Sequence, residues 1–392
     1  MSPPSPEIAR FAIELTCSSI DTAAWGGTNE GEIMHSGSDV LVCTRIAARA
    51  GAFPWAALTA YALIATANVG AHEFCVATAS DLEAALTASS DGGAFAGENN
   101  DIDLRPGTYT TGGGPFHYTN ATRGLSLIGG YDAGCVNRLN DPTLSVLDGG
   151  HATPVLELHS QGGALEVDWV TIQNGETTGA GAGLYLEGTG GQVTSVSDVI
   201  IRNNHAADIA GGIYATVGNN ASSDDLFVES SLIVGNSADN GSSAGVLIVH
   251  GAGATIAGNT VSVNTTTLAN GIGGLTFSGN ATCNCAVVNN IFWDNANIGL
   301  WLGNSNVALG YNDIGTLAGS TPEEDVGNVS VAPHFVDRDN GNFHLAGNST
   351  LLGLTPNPIG NLDLDGHPRP RFGHADPGAY EETIFADGFE AD

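Results

Sequence analysis

The residues able to do chemistry in this chain are few. Arg202 is the single arginine between Arg138 and Arg338, and Asp198 precedes it by four positions. On an extended strand, alternation sends both side chains to one face. There a carboxylate can hold a cation while the guanidinium assists removal of a proton. Asp294 is expected at the equivalent position three coils later, about 14 Å away and too far to share a site. Asp224-Asp225 precedes a strand, where paired carboxylic acids can cleave a glycosidic bond. A lone Asp-Asp in an acidic chain is ordinarily solvated surface, however. Neither set is complete, and the reading favours binding without turnover. Asn361-x-Asp363-x-Asp365-Gly366 matches the first half of a calcium loop, with Phe372 where the loop's final Glu belongs. Asp337-x-Asp339-Asn340-Gly341 is a similar fragment. Calcium is the one cofactor suggested, with Asp363 and Asp365 as ligands, although such turns commonly need no ion. His205, His250, His334 and His344 lack ligand spacing and read as surface.

These residues sit in a repeat. Val170-Ile172-Asn174, Val199-Ile201-Asn203, Leu232-Val234-Asn236, Val261-Val263-Thr265 and Ile291-Trp293-Asn295 share one pattern, and their polar positions step by 29, 33, 29 and 30 residues. The glycines that follow, Gly183, Gly212, Gly245, Gly274 and Gly299, step by 29, 33, 29 and 25. Short period-two strands repeating at this length predict a parallel β-solenoid of three strands per coil, wound right-handed. By parity, Asn174, Asn203, Asn236 and Asn295 should point inward as a structural asparagine stack. Tyr185, Tyr214 and Trp301 should form one outward column with Leu247 and Thr276, the tyrosines about 4.8 Å apart in adjacent coils. Such a column would offer aromatic faces to sugar rings, or else pack coil upon coil.

Composition limits the partners. Gly 55 and a formal net charge of −32, with every basic residue an arginine, describe a turn-rich acidic protein that repels phosphate backbones. Nucleic acid is therefore excluded as a partner. Residues 1–33 carry no clear pattern. Arg45, Arg49 and the apolar run from Ala50 to Ala67 read as a secretory signal over 34–71, starting at Met34 and cleaved after Ala71. A membrane anchor is the competing reading. Four of six cysteines would remain in the exported chain. Cys75–Cys135 would tie its first turn to the coil stack, while Cys283 and Cys285 could form a short-range bridge or stay as buried thiols. Ser80 and Glu83, in capping-box spacing, predict a short helix through Leu86 that covers the first coil.

The repeats, the opening Cys75-to-Leu86 segment with Ile102–Tyr109, and Gly129-Gly130-Tyr131 with Cys135 resemble secreted bacterial right-handed β-helix proteins of the pectate-lyase-like superfamily. Pro333–Phe335, Asn342–Leu345, Leu362–Arg369 and Asp376-Pro377-Gly378-Ala379-Tyr380-Glu381 resemble the choice-of-anchor Q C-terminal module, with Pro377 where that module usually has Ile. The resemblance covers roughly 72–392. It implies an N-terminal cap over 72–115, a β-helix over 116–330, the module over 331–382 and an acidic tail over 383–392. It also implies export from a Gram-negative-type bacterium. The expected function is a monomeric cell-surface or extracellular protein that binds a polysaccharide or surface component, with no membrane span in the mature form. The alternatives are a polysaccharide lyase or glycoside hydrolase, with Asp198, Arg202, Asp224 and Asp225 as weak catalytic candidates, and a structural adhesin stalk.

Overall fold

The computed structural model describes residues 17–19, 41–43 and 71–382, except 190–191, 219–224, 241–242, 251–252, 280–282, 305, 357–358 and 370–373. The expected signal segment and Asp224 therefore lie outside the described residues, apart from strand Leu41–Cys43, which pairs with Cys17–Ser19. From His72 to Val326 the described residues form an all-β parallel solenoid, apart from one helix, and beyond it Phe335–Asp337 pairs antiparallel with Asn342–Leu345. A ten-stranded long sheet runs from His72–Val76 to Glu324–Val326. An eight-stranded sheet runs from Gly107–Thr110 to Asp313–Ile314, and a second from Phe116–Asn120 to Leu317–Gly319. We call these two the covered sheet and the open sheet. Four coils add a two-residue strand between them, from Glu176–Thr177 to Thr265–Thr266, so these coils have four strands rather than the expected three. Among the described residues, no helix is long and apolar enough to cross a membrane.

The glycine column is as the sequence predicts. Leu184, Ile213, Val246, Leu275 and Leu300 are in register, so the glycines before them stack. A Cβ on Gly212 would lie 2.4 Å from the Gly245 carbonyl oxygen, and one on Gly183 would lie 2.7 Å from Asn204 Nδ2. Only glycine lets neighbouring coils and the inward amides approach so closely.

The asparagine stack differs from the expected row. Ile172, Ile201, Ile233, Val261 and Phe292 are the aligned inward residues. The expected inward Leu232-Val234 and Ile291-Trp293 pairs are thus one residue out of register, and Val261-Val263 is two out, Val261 taking the place expected for Val263. The stack itself is Asn204, Asn236, Asn264 and Asn295. Each Nδ2 donates to the next Oδ1 at 2.9–3.0 Å, and also to the carbonyl of Ile172, Ile201, Ile233 or Val261. Asn174 and Asn203 instead occupy the preceding corner with φ of 57°, a left-handed conformation asparagine tolerates well. A second stack, Asn259, Asn290, Asn312 and Asn328, lines another corner.

The missed register has a physical cause. Leu232, Ile233 and Val234 are all buried, Ile233 in the solenoid core and its neighbours beneath the C-terminal module against Phe343, Leu364 and Ala379. A strand buried on both faces loses its alternation. The module reaches back far along the chain, Ala379 N donating to Thr260 Oγ1 at 3.0 Å.

At the other end a helix, Ala79–Ser89, packs Leu82, Ala85 and Leu86 into the core. Its cap is Thr78 rather than Ser80. Thr78 Oγ1 accepts from Asp81 N at 3.2 Å, while Asp81 Oδ2 accepts from Ala77 N at 3.4 Å. The box has shifted by two residues, with Asp81 in the acidic role. Cys75 and Cys135 form a disulfide with Cα atoms 5.8 Å apart. Cys283 and Cys285, two residues apart with Cα atoms 5.3 Å apart, both point into the core.

Candidate functional site

On the open sheet, strands Phe116–Asn120, Leu156–Ser160, Leu184–Gly188 and Ile213–Val217 run in register. His117, Glu157, Tyr185 and Tyr214 therefore form one outward column, and Thr119, His159, Glu187 and Thr216 the next. The backbone register of the first runs on through positions 247 and 276 to Trp301, with Thr276 buried rather than outward. The Tyr185 and Tyr214 rings stack with centroids 4.9 Å apart and planes 22° apart. The His159 ring lies 5.3 Å from Tyr185, and the His117 ring 5.5 Å from His159. His159 Nδ1 is 3.0 Å from Glu187 Oε2, and His117 Nδ1 is 3.6 Å from Glu157 Oε2. Burial raises the Tyr185 phenol, and the nearby Tyr214, Glu187 and Glu157 add to that.

Because the two tyrosine rings face each other, they give solvent their edges and hydroxyls rather than flat faces. This suits hydrogen bonding to a polar ligand more than ring-on-ring stacking. Trp301, half-buried three strands beyond Tyr214, is too distant to join them. His117, Glu157, His159 and Glu187 were not among the residues singled out by type and spacing. Their signal was available in the alternation Phe116-His117-Tyr118-Thr119 and Leu156-Glu157-Leu158-His159, which repeats across two coils before the clearest repeats begin.

The candidates near Arg202 are placed differently. Asp198 is not on the strand but at a left-handed corner with φ of 54°, and its Oδ1 is sealed from solvent without a hydrogen-bond partner. Burial, and then the neighbouring Asp168, raise its carboxyl well above the usual range, against the opposing pull of Arg369. Arg202 is exposed and donates through Nε to Gln173 Oε1 at 2.9 Å. The residue aligned with Arg202 three strands on is Trp293, not Asp294. Asp294 is a corner residue paired with Arg338. Asp225 lies in strand Asp225–Glu229 on the long sheet, away from the Arg202 strand.

In the C-terminal segment, residues 333–382, the conspicuous polar residues hold the segment itself. Arg369, fully enclosed, donates through Nη2 to the Gly378 carbonyl at 2.8 Å and lies 3.5 Å from Glu381 Oε2. Asp376 accepts from Gly353 N at 2.6 Å and Glu382 N at 2.8 Å. Asp363 Oδ1 accepts from Asp365 N and His367 N, and its Oδ2 from Glu381 N at 3.0 Å. Asp365 pairs with His344, whose ring stacks on Tyr380 at 4.0 Å, so His344 is a packed residue rather than a surface one. The 361–366 turn is closed by these bonds within the protein.

A scan against protein-family models matches no family, and a search of curated proteins finds no match to this sequence either.

Proposed function

We propose that this chain is an exported, monomeric, right-handed β-helix that binds a glycan through its open sheet without catalysis, at the cell surface or in the extracellular space. One observation carries this reading. Two imidazoles, two carboxylates and two phenols stand in adjacent outward columns on a flat sheet. A rigid row of donors and acceptors matches the regularly spaced hydroxyls of a polysaccharide. The resemblance to secreted pectate-lyase-like proteins with a choice-of-anchor module supports export, and the usual sense of parallel crossovers supports the handedness. Against catalysis stand the sealed Oδ1 of Asp198 and the place of Asp225 on a different sheet from Arg202.

The test is retention of the full chain on a panel of immobilised polysaccharides, with reducing-sugar and unsaturated-uronate assays run beside it, with and without calcium. Retention on one class of glycan, weakened at least about tenfold by Tyr214→Ala or Glu187→Gln, is the expected result. Turnover abolished by Arg202→Ala or Asp225→Ala would replace this reading with a lyase or hydrolase. Absence of both would leave a structural stalk. Calcium at Asp363 and Asp365 is part of the same proposal, although it must displace the bonds that close the turn, and retention unchanged by calcium removes it.

A further inference from the structure

We infer that His117, Glu157 and His159 form a binding site for a divalent transition metal of the zinc class, with open coordination positions facing solvent. One donor atom from each residue lies within 4.8 Å of the other two. Zinc bonds of 2.0–2.2 Å place tetrahedral ligands roughly 3.3 Å apart, so each donor has to close by on the order of 1 Å. All three side chains are at least partly exposed, while their backbones are held in register on neighbouring strands. His117 and Glu157 are directly opposed on neighbouring strands, and His159 is two residues beyond Glu157 on the same face.

The surroundings of the site support this assignment. Glu187 Oε2 sits 3.0 Å from His159 Nδ1, which leaves Nε2 as the atom available to a metal. A carboxylate on the distal nitrogen orients a ligating imidazole and raises its basicity. Glu187 is a positioning residue in this arrangement. Two imidazoles and one carboxylate select zinc, nickel, cobalt or copper over calcium and magnesium, which prefer all-oxygen shells. The strong net negative charge of −32 draws cations toward the whole surface. The site does not depend on glycan binding, and its test uses no glycan.

Metal-stripped full-length chain is titrated with zinc chloride by calorimetry, with calcium chloride as the contrast, and cobalt is followed by its visible absorption. The expected result is one saturable zinc site, a cobalt spectrum showing nitrogen ligation, and no matching calcium heat. The doubly substituted His117→Ala/His159→Ala protein should lose the site, and Glu187→Gln should weaken it about 10- to 100-fold. His205→Ala, which removes an imidazole lying near Glu176 and Asp239, should leave it intact. Circular dichroism confirms that the variants are folded. The inference is overturned if zinc does not saturate, if binding survives the double substitution, or if it follows His205.

Discussion

Asn236 donates its Nδ2 to Asn264 Oδ1 at 3.0 Å while its own Oδ1 accepts Asn204 Nδ2 at 2.9 Å, so one side chain joins three coils. It is wholly buried, and Asn236→Ala would leave the Asn204 amide and backbone N–H and the Asn264 carbonyl short of partners. Each unsatisfied buried group costs about 1–3 kcal/mol, so a total loss of roughly 3 kcal/mol or more is expected. Asn203→Gly should change stability by under about 1 kcal/mol, because its corner asks only for a left-handed φ. Chemical denaturation of the two variants compares them. Equal losses would contradict the assignment of Asn204, not Asn203, to the stack.

Gly212→Ala should be among the most damaging single substitutions in the chain. The new methyl would meet the Gly245 carbonyl oxygen at 2.4 Å, and backbone cannot swing aside as a side chain can. A loss above about 3 kcal/mol, or failure to accumulate as soluble protein, is expected. Gly107→Ala has nothing within 4 Å of the added Cβ and should be nearly neutral in the same chemical denaturation.

Stability should fall as pH rises from 5 to 8. Burial pushes Glu229 and Asp313 up to about 7, and burial with Glu73 nearby does the same to Asp103. Between the ordinary carboxylate range and 7, the folded chain keeps protons that the unfolded chain has released. The stabilisation is therefore complete below about pH 4 and lost through about pH 7. His344, raised mainly by the hydrogen bond it donates to Asp365, acts in the same direction. Asp132, held near about 2 chiefly by Asn137, titrates below this window. The melting temperature at pH 5 should exceed that at pH 8 by roughly 5 °C or more, and Glu229→Gln should flatten the slope. A rise from pH 5 to 8 would refute this.

The Cys75–Cys135 bond closes a 60-residue separation. Chain-entropy arguments give such a loop roughly 4 kcal/mol, so Cys75→Ala/Cys135→Ala should lower stability by that order. Hydrogen exchange should place the loosening first in the capping helix and the strands Asn100–Leu104 and Leu125–Ile128. Uniform loosening along every coil would contradict this.

The solenoid was legible because glycine spacing survives wherever coils must touch: Gly183, Gly212, Gly245, Gly274 and Gly299 aligned without error. The asparagine row was half legible. Two corners place an asparagine for its φ one residue before an asparagine used for its amide, and composition does not distinguish the two uses. The inward register failed where Leu232 and Val234 are buried by a segment more than a hundred positions later, which no local pattern announces. The histidines of the open sheet went unread because His117 and His159 are brought together by a 40-residue coil, longer than those of the clear repeats. Tyr185 and Tyr214, one regular coil apart, were found.

The return of the C-terminal module to the middle of the stack limits how this protein can change in length. Arrays held only by contacts between neighbours gain or lose a coil cheaply and can peel apart from either end. Here Phe343, Leu364 and Ala379 grip Ile200, Leu232 and Val234, while Leu345 and Leu351 grip Ile291. A coil inserted between those two grips would part them by about 4.8 Å. The module thus acts as a gauge that fixes the coil count, and its latch makes the described solenoid melt as one unit instead of unzipping from its last coil.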